Sequence, residues 1–191
     1  MIIYIHGFGS SGKAFKARLL RRLYPEIPLY SPDLPHEPQQ AIQFLEDLII
    51  DKCDSKQLLL IGSSLGGFYA LHLHVKFHLF AVLLNPTVQP ISNLESQLKN
   101  RSNFDPAVSA EWQQKYLPHL AQFYHSPQEI HSEKLNVYLN RDDEILNYRI
   151  AEEYFKQSNC TISLFDHGGH VFLNFPQILP GIISVYDQIN S

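Results

Sequence analysis

Short apolar runs alternate along the chain with longer segments of helical period. Residues 2–5, 28–31, 57–61, 81–84, 135–139 and 161–165 read as six strands, several of them apolar at consecutive positions. Unbroken apolar character marks strands buried on both faces, as in a parallel sheet with helices on each side. The segment 13–23, rich in Lys, Arg and Leu, predicts a helix, and Pro38 suits the first turn of another that turns Ile42, Leu45, Leu48 and Ile49 inward. Further helices are expected after Ser64, Leu146 and Phe175. The alternation predicts an α/β fold: a single domain over residues 1–191, with about six mostly parallel strands and helices on both faces. The rhythm breaks once, at about residues 86–131. That stretch is too long for a plain crossover, has two helical segments and concentrates Phe104, Trp112, Tyr116, Phe123 and Tyr124, so a helical cap insertion is expected there.

Composition narrows the function classes. With 191 residues and 45% hydrophobic content, the chain can bury a core without disulfides or metals. A formal charge of -4 gives no basic field for phosphate backbones or anionic lipid, so neither nucleic acid nor a membrane is expected as a partner. The opening run Ile2, Ile3, Tyr4, Ile5 lacks the basic region of a secretory leader, and no apolar stretch reaches spanning length, which points to the cytoplasm. Cys53 and Cys160 are far apart and are read as buried thiols. The sequence leaves the oligomeric state open.

The chemistry begins at Gly62, Ser63, Ser64, Leu65, Gly66, a G-x-S-x-G pattern between an apolar strand and a helical run. A strand-to-helix elbow strains the central residue and needs small neighbours two positions away, where strand and helix cross closely. Ser64 is therefore the candidate nucleophile, with the Leu65 N–H and the following helix dipole facing a developing oxyanion. His6, Gly7 and Phe8 follow the first strand, where this architecture places a second oxyanion donor; the Phe8 N–H is the candidate. The stretch Gly9, Ser10, Ser11, Gly12 lacks the Lys-Ser/Thr ending of a phosphate loop.

A serine hydroxyl needs a base and an orienting acid. Asp166, His167, Gly168, Gly169, His170 follow the last strand, and His170, beyond the glycines, is preferred to His167 as the base. The His-x-x-His spacing has no accompanying carboxylate or cysteine cluster, so no metal is expected, and no cofactor. Asp142, Asp143 and Glu144 follow the preceding strand. Asp143 is the candidate acid, Asp142 its competitor, and the remaining carboxylates are expected to be solvated. His36 lies on the edge where active-site loops gather and is a candidate substrate residue. Trp112 is another, as part of an aromatic lining, unless those aromatics only anchor the cap. His72 and His74, two apart on a helix, cannot chelate one ion and are read as surface or partly packed residues.

The segments YIHGFGSS (4–11), IGSSLGG (61–67), LNPTVQP (84–90), DEILNY (143–148) and GGHVF (168–172) resemble those of short YqiA-like bacterial esterases of the α/β-hydrolase superfamily, along nearly the whole chain. The resemblance implies a single-domain α/β-hydrolase fold lacking the first two strands of larger hydrolases. It also implies hydrolysis of short acyl esters by Ser64, Asp143 and His170. Such esterases often have Gly before the acid; here Asp142 stands there. The expected function is a serine carboxylesterase acting on a small acyl ester. Thioester, amide and lactone cleavage by the same groups, and a non-catalytic binding protein of this fold, are the alternatives.

Overall fold

Successive residues of an extended strand point to opposite sides, and in the computed structural model, which describes residues 1–52, 57–100 and 112–191, that alternation divides the core in two. The strands are β1 (Ile2–Ile5), β2 (Leu29–Tyr30), β3 (Leu59–Ser63), β4 (Phe80–Leu84), β5 (Leu135–Asn140) and β6 (Thr161–Phe165). They form one sheet in the order β2-β1-β3-β4-β5-β6, with every neighbouring pair parallel. Ile3, Ile5, Leu60, Leu83 and Val137 face α2 (Pro38–Lys52), α3 (Leu65–Phe77) and α5 (Tyr148–Lys156). Ile2, Tyr4, Leu59, Ile61, Val82 and Leu84 face α1 (Phe15–Leu23) and α6 (Phe175–Asn190).

The strand positions expected from the apolar runs are close to those found, with two shifts. β2 is only two residues long: Pro28 has no N–H for the ladder and offers its carbonyl to Ile2 instead, and Ser31 turns its hydroxyl to the Gly12 carbonyl at 2.8 Å. β3 runs on to Ser63. Between β4 and β5 lies α4 (Pro90–Asn100), and after the undescribed stretch come a π-type turn at Trp112–Tyr116 and a 3₁₀ run at Leu117–Phe123. Trp112, Leu117 and Leu120 are buried in the core on the α2–α3 side. Cys53 and Phe104 lie outside the described residues, and Cys160 is partly buried.

The helix α3 is apolar nearly all round, and this corrects the reading of His74, while His72 is partly packed as expected. His74 is fully buried. Its Nδ1–H donates to the Leu79 carbonyl at 2.6 Å and its Nε2 accepts the His131 N–H at 3.3 Å. His72 is largely buried and meets His125 ring nitrogen to ring nitrogen at 3.0 Å. Desolvation lowers both imidazoles to about 4, helped at His72 by the neighbouring His125. An unfolded chain takes up protons at these groups below about 6.5 and the folded chain refuses them until about 4. Stability is therefore full above that window and falls as the pH drops through it. A fall on the order of 3 kcal/mol per imidazole is the upper scale. Urea unfolding at pH 7.5 and 4.5 should show the loss, and equal midpoints would refute it.

Candidate active site

Ser64 occupies the single position between β3 and α3, and its backbone is at φ 56°, ψ -119°, a conformation that side chains disfavour. The surroundings impose it. The Ser64 N–H donates to the Leu84 carbonyl at 3.1 Å, and the Ser64 carbonyl accepts from Gly67 N–H at 2.9 Å and Thr87 N–H at 3.2 Å. A Cβ on Gly66 would stand 2.2 Å from the Ile5 carbonyl oxygen, and one on Gly62 would stand 2.4 Å from that of Gly66. Only glycine lets strand and helix cross here. Ser63 is buried and hydrogen-bonds with the Tyr4 hydroxyl. Ser64 Oγ lies 3.0 Å from His170 Nε2.

On the far side of the ring, His170 Nδ1 stands 2.9 and 3.0 Å from the two Asp143 carboxylate oxygens. The Asp143 side chain is 2% exposed, and its Oδ1 also accepts the N–H groups of Ile145 and Leu146 at 2.9 and 2.8 Å. Asp143, and not Asp142, therefore faces His170. His167 points away, with a side chain 92% exposed.

The neighbouring carboxylates Asp142 and Glu144 are exposed, as expected, and they also hold the histidine loop. Asp142 accepts the Gly169 N–H at 2.9 Å and the Gly168 N–H at 3.2 Å, and those hydrogen bonds, the Gly169 one foremost, hold its carboxyl below the usual range. Glu144 accepts the His170 N–H at 2.9 Å. Three consecutive carboxylates thus grip one loop, two by its backbone and one by its ring. From below, Asn85 donates to the Gly169 carbonyl at 2.9 Å and accepts the Asn140 N–H at 2.8 Å, and the Asn140 side chain donates to the same Gly169 carbonyl. Asn174 donates to Asn140 Oδ1 at 3.0 Å. The sequence reading missed this asparagine cage. Its one visible signal is that Asn85 and Asn140, like Ser64, sit at or just past the carboxyl ends of strands, the edge where sites of open α/β sheets gather.

The pattern that defines the uncharacterised protein family UPF0227 matches residues 1–187. The chain belongs to that family. Its curated members include the UPF0227 protein YcfP of Escherichia coli, 28% identical over 159 residues, which make up 80% of this chain and 81% of YcfP. Among solved structures, mouse alpha/beta hydrolase domain-containing protein 10 superposes with a TM-score of 0.76 at 14% identity, covering 98% of this chain and 90% of that one. The Pyrococcus furiosus esterase superposes at 0.73 and 16% identity, covering 100% and 81%. The ydeN gene product of Bacillus subtilis gives 0.71 and 17%, covering 97% and 98%. This UPF0227 chain has the α/β-hydrolase fold.

The other candidate residues of this family member lie around two cavities that share Gly7, Phe8 and Ser10. One, of about 110 Å³, is lined by Phe8, Leu34, His36, Leu65, Tyr69 and Trp112 among others. Trp112 is buried, edge-on to the Phe8 ring at 4.8 Å and to Tyr116 at 5.4 Å. His6 fixes a wall of this cavity, its Nε2 accepting the Leu34 N–H at 3.2 Å. The other cavity, of about 210 Å³, holds Ser64 and His170. Phe123 lines neither; it packs edge-on against His72 at 5.0 Å. Among the described residues no group of three His, Cys, Asp or Glu side chains could hold a metal, and no helix is long and apolar enough to cross a membrane.

Proposed function

We propose that this chain is a serine carboxylesterase for short acyl esters, acting through Ser64, His170 and Asp143. The observation that carries the reading is the unbroken line Ser64 Oγ, His170 Nε2, His170 Nδ1, Asp143 carboxylate, each step about 3 Å. Asp143 holds the Nδ1–H tautomer, which leaves Nε2 free to take the Ser64 proton. Ser64 Oγ then bonds to the ester carbonyl carbon. The carbonyl oxygen takes the negative charge and meets the N–H groups of Phe8 and Leu65, each such donor contributing about 3 to 4 kcal/mol to the transition state. Leu65 is the first residue of α3, so its N–H has no acceptor within the helix. Collapse breaks the bond to the leaving oxygen, which receives the proton from His170. Water, deprotonated by the same imidazole, then releases the acid and restores Ser64.

The 110 Å³ cavity beside Leu65 and Phe8 suits the acyl group. It is smaller than the roughly 150 Å³ that admits benzene in an apolar protein cavity, which favours short chains. With Trp112 closing it, the segment between β4 and β5 acts as a cap that sets chain length, and His36 stands at the rim. Rates on p-nitrophenyl acetate, butyrate, octanoate and palmitate test the reading. kcat/KM should fall steeply beyond butyrate or octanoate, and Trp112→Ala should move the cutoff to longer chains. No hydrolysis of any member would defeat the esterase reading, and equal rates on palmitate would defeat the cap.

A further inference from the structure

The cavity that holds Ser64 and His170 has a positive wall that the esterase reading does not use. Lys16 lines it, together with Ala14 and Phe15. Although a lysine, it is 6% exposed, and among the described residues its ammonium has no hydrogen-bond or ion-pair partner. The side chain is buried, but the ammonium is not among the fully buried unpartnered atoms, so it keeps an open side on which a counter-charge would be favourable. Burial alone pushes it down to about 8. Lys16 also lies in the first turn of α1, whose cap, Ala14, brings no side-chain acceptor and whose first turn has no acidic residue. The leading N–H groups of a helix have no acceptor within it and attract negative charge. Two independent features, an unpaired ammonium on a largely buried side chain and a helix start with no side-chain cap, thus meet in one cavity with the nucleophile.

Position decides which part of a substrate reaches them. The acyl cavity lies across Phe8, whereas His170, which returns the proton to the leaving oxygen, shares the cavity with Lys16. We propose that Lys16 and the N-terminus of α1 form an anion subsite that selects esters whose leaving group carries a carboxylate or a phosphate. The proposal rests on the esterase reading and adds the substrate class to it. At about 210 Å³ the cavity exceeds the roughly 150 Å³ that admits benzene, so an aryl leaving group bearing an anion is a fitting probe.

The test compares 4-acetoxybenzoate and 4-acetoxyphenyl phosphate with the neutral methyl 4-acetoxybenzoate at pH 7. At least one anionic ester should exceed the neutral ester tenfold or more in kcat/KM, and whichever does so names the anion. Lys16→Met should cut that ratio at least fivefold while melting at the same or a higher temperature, because it removes an unpaired charge and keeps the apolar volume of a largely buried side chain. Lys16→Arg should keep a preference for the anion. Independently of any variant, 4-hydroxybenzoate or 4-hydroxyphenyl phosphate should inhibit the wild-type protein at lower concentration than methyl 4-hydroxybenzoate. Hydrolysis of all three esters without anion preference, or an unchanged ratio in Lys16→Met, overturns the subsite and leaves the esterase standing. Hydrolysis of none overturns the esterase reading and the subsite with it.

Discussion

Asp143→Asn lowers turnover of an activated ester by about 10⁴-fold, the scale seen when an orienting carboxylate becomes an amide. The geometry explains why the amide cannot substitute. Asp143 Oδ1 is pinned by the N–H groups of Ile145 and Leu146, so an amide at this position keeps its oxygen there and turns its NH₂ toward His170 Nδ1. Two donors cannot face each other. The imidazole then carries its proton on Nε2, against Ser64 Oγ, where it cannot accept another. Asp142→Asn should cost less than about tenfold, since an amide oxygen still accepts from the Gly168–Gly169 turn. Steady-state kinetics of the two variants decides the matter, and the reverse ranking would move the acid to Asp142.

Ser64→Ala should remove on the order of 10⁶-fold from turnover, as loss of a catalytic serine does where the three groups act as a unit. The elbow adds a second, opposite expectation. Because Ser64 sits at φ 56°, ψ -119°, a region open to glycine, Ser64→Gly should be as inactive as Ser64→Ala yet more stable by about 1 kcal/mol. Urea denaturation measures the difference. A less stable Ser64→Gly would mean that the backbone there is not strained.

Much of this site was legible because its signals are local. Gly62 to Gly66 needs only the chain's own crossing of strand and helix, and unbroken apolar runs mark β1, β3 and β4 because these inner parallel strands are buried on both sides. The choice among Asp142, Asp143 and Glu144 was less legible, since it depends on how residues 140–147 turn: the Asp143 N–H bonds to the Asn140 carbonyl and directs one carboxylate inward. The backbone grips of Asp142 and Glu144 join segments more than twenty residues apart and leave no periodic trace. Two histidines on a helix look polar, yet His74 is buried, as are Leu71 and Leu73 near it. Lys16 carries a signal in its spacing. It precedes the buried Leu19 and Leu20 by three and four residues, which puts it on the inner face of α1 despite the surrounding basic residues.

Covalent labelling reads whether Ser64 is a nucleophile activated by His170. The protein is incubated with an alkyl fluorophosphonate, then weighed intact and mapped by peptide. One phosphonyl group per chain on Ser64, absent from Ser64→Ala and strongly reduced in His170→Ala, is the expected result. No adduct, an adduct on Ser63, or undiminished labelling of Ser64→Ala would contradict it.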